Sequence, residues 1–173
     1  MSSSLPAEVR SARALLRWQF RMAHALLDAT IDGLSVEAFN RRSPSSSASA
    51  AVCFAQVLLN EDLTINGVLA SGTPLALSTW AGRTGLSELP PLASPTDWRA
   101  WSNRVRINRA EIRPYARAVH AATDAYVATI PEDGLDPACD QAPAGLLTAL
   151  LLTVSMRRGE IACLLALQLE EQW

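Results

Sequence analysis

The chain has 173 residues, a length that suits one domain with a core of its own. Apolar residues make up 49% of it and charged residues 18%, which excludes an intrinsically disordered protein. The formal net charge is -2, so the chain as a whole is not drawn to nucleic acid or to an anionic membrane.

The first predicted helix covers residues 6–31, with Ser4 as its N-cap and Gly33 at its end. Its apolar residues recur at helical spacing, and arginines occupy the other side: Arg10, Arg13, Arg17 and Arg21. A serine-rich loop is expected at 39–47. A second helix at 48–70 follows, and its first half is almost wholly apolar.

Residues 72–95 contain several glycines and prolines and no sustained periodicity, which predicts a long connection in which Trp80 packs against the core. A third helix is expected at 94–130, starting at Ser94 and kinked or split by Pro114. The last predicted helix, at 144–170, is rich in leucine on all sides.

No stretch alternates in the manner of a β-strand, and no internal repeat is present. The pattern therefore predicts an all-α protein: one four-helix-bundle domain over residues 1–173, with a long crossover loop between helices 2 and 3.

The three cysteines, Cys53, Cys139 and Cys163, are far apart in the sequence and form no zinc or redox motif. Cys53 and Cys163 lie among apolar residues, so we expect both to be packed in the core. The start of the chain has no signal-peptide pattern, and its most apolar run is too short to span a bilayer. Free thiols suit a reducing compartment, and these features together predict a cytoplasmic protein.

Four motifs in order along the chain resemble the DinB-like (YfiT-like) superfamily of bacterial helical bundles. They lie at residues 16–35, 60–62, 101–124 and 158–161, and they include Asn60-Glu61-Asp62 and Arg158-Gly159-Glu160-Ile161. In that family three histidines hold a divalent metal near one end of the bundle. The resemblance places the equivalent positions at Gln56, Thr153 and Arg157.

These three residues are poor metal ligands. An amide or a hydroxyl binds weakly to the ions that imidazole favours. A guanidinium about 4 Å from a dication would oppose it by roughly 8 kcal/mol at an effective dielectric near 20. The sequence therefore predicts no metal at the inherited site and implies no cofactor.

Two interpretations of Gln56, Thr153 and Arg157 remain open. They could form a polar pocket that binds a small anion, with Glu61 or Glu160 beside Arg157. Alternatively, Arg157 could make only a structural ion pair with one of those carboxylates. Relatives of this fold include thiol-dependent transferases and isomerases. A diverged enzyme of that kind and a purely structural homodimeric bundle are therefore further alternatives.

His24 and His120 are the only histidines. They could join Glu61, Asp62 or Glu160 in a relocated metal site, but no pair has ligand spacing within one helix, so ordinary packed or solvated histidines are favoured. The arginine stripes of the first and third helices are interpreted as solvated faces rather than a nucleic-acid site. The surplus apolar surface of the second and fourth helices favours a homodimer; the alternative is that the 72–95 connection covers this surface.

Overall fold

A computed structural model describes residues 11–42, 48–91, 97–135 and 143–170, and these residues are helical with no strand. Six α-helices are assigned within them. They are α1 (Ala12–Asp32), α2 (Val36–Asn40), α3 (Ala50–Asp62), α4 (Asp97–Arg104), α5 (Arg109–Thr129) and α6 (Ala144–Glu170). The all-helical prediction is confirmed, and so are the bounds of the last helix.

Helix α1 begins later than the sequence pattern predicted. Ser11 is extended, with φ −141° and ψ 162°, and its side chain accepts a hydrogen bond from the amide of Ala14. A serine that caps in this way satisfies one of the free amides of the first turn, so the helix starts at Ala12. The predicted cap, Ser4, lies outside the described residues.

The predicted loop at 39–47 is wrong at its beginning, because Phe39 lies in the short helix α2. Ser35 caps this helix by accepting a hydrogen bond from the amide of Ala38, and Phe39 is fully buried against Phe54. Residues 43–47 lie outside the described part of the chain.

Helix α3 continues into a seven-residue π-helix, Leu63–Leu69, so the predicted second helix is confirmed with a change of pitch. Beyond it, the crossover is fastened to the helix by Asp62, which is fully buried. Its carboxylate accepts hydrogen bonds from the amides of Leu75 and Ala76, from the side chain of Asn66 and from the hydroxyl of Tyr115. These four hydrogen bonds offset the loss of hydration of the buried Asp62 carboxylate.

Trp80 packs in the crossover against Tyr115, with 6.0 Å between ring centroids, as predicted. Further along, Gly85 lies directly on the start of α5: its φ is +79°, and a Cβ built there would lie 2.5 Å from the amide nitrogen of Ile112. Only glycine fits this close approach between two backbones.

The predicted third helix is split, but not at Pro114, which lies inside α5. The break falls at residues 105–108, where Ile107 pairs in an isolated β-bridge with Leu86. Asn108 then caps α5 by accepting from the amide of Ala110. The β-branched pair around Arg106 and the capping asparagine favour this break. The predicted start at Ser94 lies outside the described residues.

The four long helices pack in neighbouring pairs: α1 with α6 and α5, and α3 with α6 and α5. Helix α3 is the most enclosed of them, since 11 of its 13 residues are buried by the chain itself. No helix within the described residues is long and apolar enough to cross a membrane.

The arginine stripes are solvated only in part: Arg106 and Arg117 are exposed, as predicted, whereas Arg17, Arg21 and Arg113 join α1 to α5. Arg17 and Arg21 both bind the carboxylate of Asp124, at 2.6 and 2.7 Å. From the other direction Arg113 binds Asp28 and Asp32, at 2.5 and 2.7 Å. Contacts between the start of one helix and the end of the other show that α1 and α5 are antiparallel.

Candidate functional site

An open cavity of about 380 Å³ lies between α3 and α6, and it is lined by Gln56 together with Thr153 and Arg157, about 100 residues further along the chain. Val57, Asn60 and Trp98 complete its lining. These six residues are called the Arg157 pocket below. Gln56 comes from α3, whereas Thr153 and Arg157 lie four residues apart on α6, so they share one face of that helix.

The polar groups of the pocket are only partly used by the protein. Gln56 donates through Nε2 to the hydroxyl of Ser102 at 3.1 Å, and Thr153 donates to the carbonyl of Ala149 at 2.8 Å. Arg157 donates through Nη1 to Glu160 at 2.5 Å, and both side chains are about two-fifths exposed. This set of residues does not fit the metal that the family resemblance implies, because the positively charged guanidinium of Arg157 lies where the metal ion would bind.

Of the two carboxylates expected beside Arg157, only Glu160 is there. The expectation for Glu61 is wrong, because its side chain is fully buried and binds His24 and Thr123 instead. Residues five apart on a helix point about 140° away from each other, so Gln56 and Glu61 lie on different faces of α3.

Cys53 lies in the core next to the pocket. Burial, with the negative charge of Glu160 as the second cause, raises the pKa of its thiol to about 12, so it is not a nucleophile at neutral pH. The corresponding expectation for Cys163 is wrong: this residue is exposed, on the outer side of α6. Cys139 lies outside the described residues.

A second polar cluster lies in the interior, formed by His24 of α1, Glu61 of α3 and His120 of α5. We call it the His24–Glu61–His120 cluster. His24 Nε2 lies 2.9 Å from Glu61 Oε1, and the two imidazole rings are stacked, with centroids 3.8 Å apart and planes 5° apart. One ligand atom from each residue can be chosen so that all three lie within 4.8 Å of one another.

Burial acts to raise the pKa of Glu61, but the hydrogen bond and charge of His24, the charge of His120 and the Thr123 hydroxyl outweigh it and lower that pKa. Burial lowers the pKa of His120 to about 4, with the charge of His24 as the second cause. At neutral pH the cluster therefore contains an ionised carboxylate and a neutral His120.

The sequence favours ordinary histidines over this grouping, because His24 and His120 do not have ligand spacing within one helix. The structure brings both together with Glu61 and assigns Asp62 and Glu160 to other partners. Their meeting depends on how three helices pack, and no spacing within one helix encodes it.

No family model matches the sequence, and no curated protein matches it. Among solved structures, a conserved protein from Enterococcus faecalis is similar, with a TM-score of 0.77. Its sequence is 18% identical, and the similarity covers 91% of this chain and 96% of that one. At this identity the similarity shows a shared helical fold and carries no activity with it.

Proposed function

We propose that this chain is a DinB-like four-helix bundle without the family's metal site, and that it binds a small carboxylate-bearing ligand in the Arg157 pocket. The observation that carries the proposal is the convergence of Gln56, Thr153 and Arg157 on one open cavity. The order of the long helices, with a long crossover between α3 and α5, supports the bundle assignment.

The chemistry of the pocket favours an anion. A guanidinium has five N–H donors, and the contact with Glu160 engages one nitrogen of Arg157. The remaining donors can form the forked hydrogen bonds that a carboxylate accepts. Asn60 is exposed at the same opening and offers an amide for a further bond.

The pocket also has an apolar side. Trp98 is half-buried and fixed by a hydrogen bond from its Nε1 to the carbonyl of Pro91 at 3.2 Å, and Val57 is buried beneath the opening. A ligand with a short apolar body beside its carboxylate would bury that body against the indole. We therefore expect benzoate to bind more tightly than acetate.

Calorimetric titration with acetate, succinate, benzoate and inorganic phosphate tests the proposal. Benzoate should bind to the wild type, and Arg157→Gln should weaken its affinity by about tenfold or more, since a charged hydrogen bond contributes about 1.5–3 kcal/mol. Arg158→Gln is the matched control: it removes the same charge from the next residue, which is exposed and does not line the pocket.

Equal loss in the two variants would show that only the overall charge matters, and failure of every anion to bind at millimolar concentration would refute the pocket's role. Turnover in a thiol-transfer assay that disappears in Arg157→Gln would instead favour the thiol-dependent enzyme. If Gln56, Thr153 and Arg157 can be replaced together without effect, the chain is a structural bundle.

The proposal includes a homodimer formed through α1 and α6. Trp18, Met22 and Leu26 are exposed at four-residue spacing on α1, and Leu152 and Met156 are exposed on α6, which packs beside it. The apolar surplus of α3, by contrast, is covered by the chain itself.

Light scattering during gel filtration should give a dimer for the wild type and a monomer for Met22→Glu, because a charge in an apolar interface is costly. Val36→Glu is the control at another exposed apolar residue. A monomeric wild type, or dissociation in both variants, would refute this interface.

A further inference from the structure

The interior His24–Glu61–His120 cluster has the composition of a metal site. The chain contains two histidines in all, and both lie here, on different helices, with a carboxylate from a third. Imidazole and carboxylate together suit divalent first-row transition ions, and three protein ligands leave a fourth position for water or a substrate.

One ligand atom of the cluster has no partner. His120 Nε2 is buried and makes no hydrogen bond within the described structure, and the His120 side chain is 11% exposed. Leaving a buried polar atom unpaired costs about 1–3 kcal/mol, so the fold retains this nitrogen at a cost to its own stability. No donor or acceptor within the described residues reaches this nitrogen.

The opposite nitrogen of the same ring faces a carboxylate. Asp28 Oδ2 lies 3.7 Å from His120 Nδ1, and Asp28 is held in turn by Arg113 at 2.5 Å. Histidines that bind metals commonly direct the nitrogen that does not bind the metal towards such a carboxylate, which orients the ring and places the lone pair on Nε2.

The Glu61 carboxylate is also held in position by neighbouring side chains. It is fully buried, and the hydroxyl of Thr123 donates to Oε1. Oε2 is contacted by His24 Nε2 at 3.1 Å. A buried carboxylate requires a cation or several donors to offset its loss of hydration, and a metal ion supplies the former.

We propose that His24, Glu61 and His120 bind a single divalent transition-metal ion of the Zn²⁺ class. Ligand atoms around a tetrahedral zinc lie about 3.4 Å apart, given bonds of about 2.1 Å. On binding, the three ligand atoms move closer together than the present limit of 4.8 Å, and the parallel rings tilt so that both can direct a nitrogen at the ion. The proton that His24 Nε2 shares with Glu61 is released to solvent, because both groups must be deprotonated to bind the metal. This site uses none of the residues that line the Arg157 pocket.

Zinc uptake by the full-length, untagged protein tests the site. After treatment with a chelator and dialysis, Zn²⁺ is titrated in competition with a chromophoric chelator. We expect one equivalent to bind, and we expect His120→Gln and Glu61→Gln to weaken the affinity by on the order of 100-fold. Cys163→Ser is the control, because it removes an exposed thiol that would compete for zinc; it should leave the affinity unchanged.

X-ray absorption spectroscopy of the zinc-loaded wild type identifies the ligand atoms directly, so the test holds even if a variant fails to fold. It should show two imidazoles and carboxylate oxygen around the ion, with no sulfur. Sub-stoichiometric uptake, sulfur among the ligands, or full affinity in a folded His120→Gln would overturn the proposal. None of these results depends on whether the Arg157 pocket binds anions, so the two proposals fail independently.

Discussion

Asp62 is the residue whose loss should most weaken the attachment of the crossover. Asp62→Ala removes the acceptor of four hydrogen bonds from the amides of Leu75 and Ala76, the Asn66 side chain and the Tyr115 hydroxyl. The amide of Ala76 and the hydroxyl of Tyr115 are buried, so they cannot form replacement hydrogen bonds with water. The donors of Asn66 and Leu75 are half-buried and can form them.

The cost follows from the two buried donors. Each unpaired group costs about 1–3 kcal/mol, and the variant no longer desolvates a carboxylate, which offsets part of the loss. We therefore expect the free energy of unfolding to fall by roughly 4 kcal/mol. For a domain of this size, each kcal/mol lowers Tm by about 2–4 °C, so the expected decrease is about 8–16 °C.

Thermal and urea unfolding of wild type, Asp62→Ala and Asn66→Ala measures this. Asn66→Ala is the matched control: it removes one donor, leaves three bonds to Asp62 and should cost less than about 1 kcal/mol. Hydrogen exchange should become faster at Leu75 and Ala76 in Asp62→Ala only. A decrease in Tm below about 3 °C, or equal effects in both variants, would refute the reasoning.

Three further predictions follow from other contacts. Gly85→Ala should destabilise the protein by more than about 3 kcal/mol in urea unfolding, because its Cβ would meet backbone, whereas Gly82→Ala, with φ +71° and open space, should cost about 1–2 kcal/mol. The pKa of Asp124 is lowered by its hydrogen bonds to two arginines of α1, so Asp124→Asn should cost about 1 kcal/mol at pH 7. That difference should shrink as the pH falls below the ordinary carboxyl pKa of 3.8, because the unfolded chain then binds a proton that the paired carboxylate of the folded protein does not; a pH-independent difference would contradict this. In a thiol-reagent assay of the native protein, exposed Cys163 should react readily and buried Cys53 should react only on unfolding.

Helical periodicity and capping were enough to predict the all-helical class and the bounds of α6. They failed where two positions were equally good candidates for the end of a helix. Ser4 and Ser11 are both residues of a kind that caps helices, and the sequence does not show that α1 is capped at Ser11. Pro114 is a strong helix breaker, yet the break lies at 105–108, where pairing between Ile107 and Leu86 competes with the helix.

The candidate sites divide in the same way. The family resemblance supplied Gln56, Thr153 and Arg157, and the four-residue spacing of the last two places them on one helix face, so the pocket could be anticipated. The His24–Glu61–His120 cluster could not, because its members come from three helices and meet only through the packing of those helices. Long-range packing of this kind has no periodic signature in one sequence.

The stacked imidazoles also provide an intrinsic proton NMR probe of the protein interior. Since the chain has two histidines and their rings lie parallel at 3.8 Å, every histidine signal in a proton NMR spectrum comes from this one stack. Each ring shields the protons of the other, so both sets of resonances should lie upfield of those of a free imidazole. Opening of the stack, from whatever cause, would move them together, and no isotope label would be needed to see it.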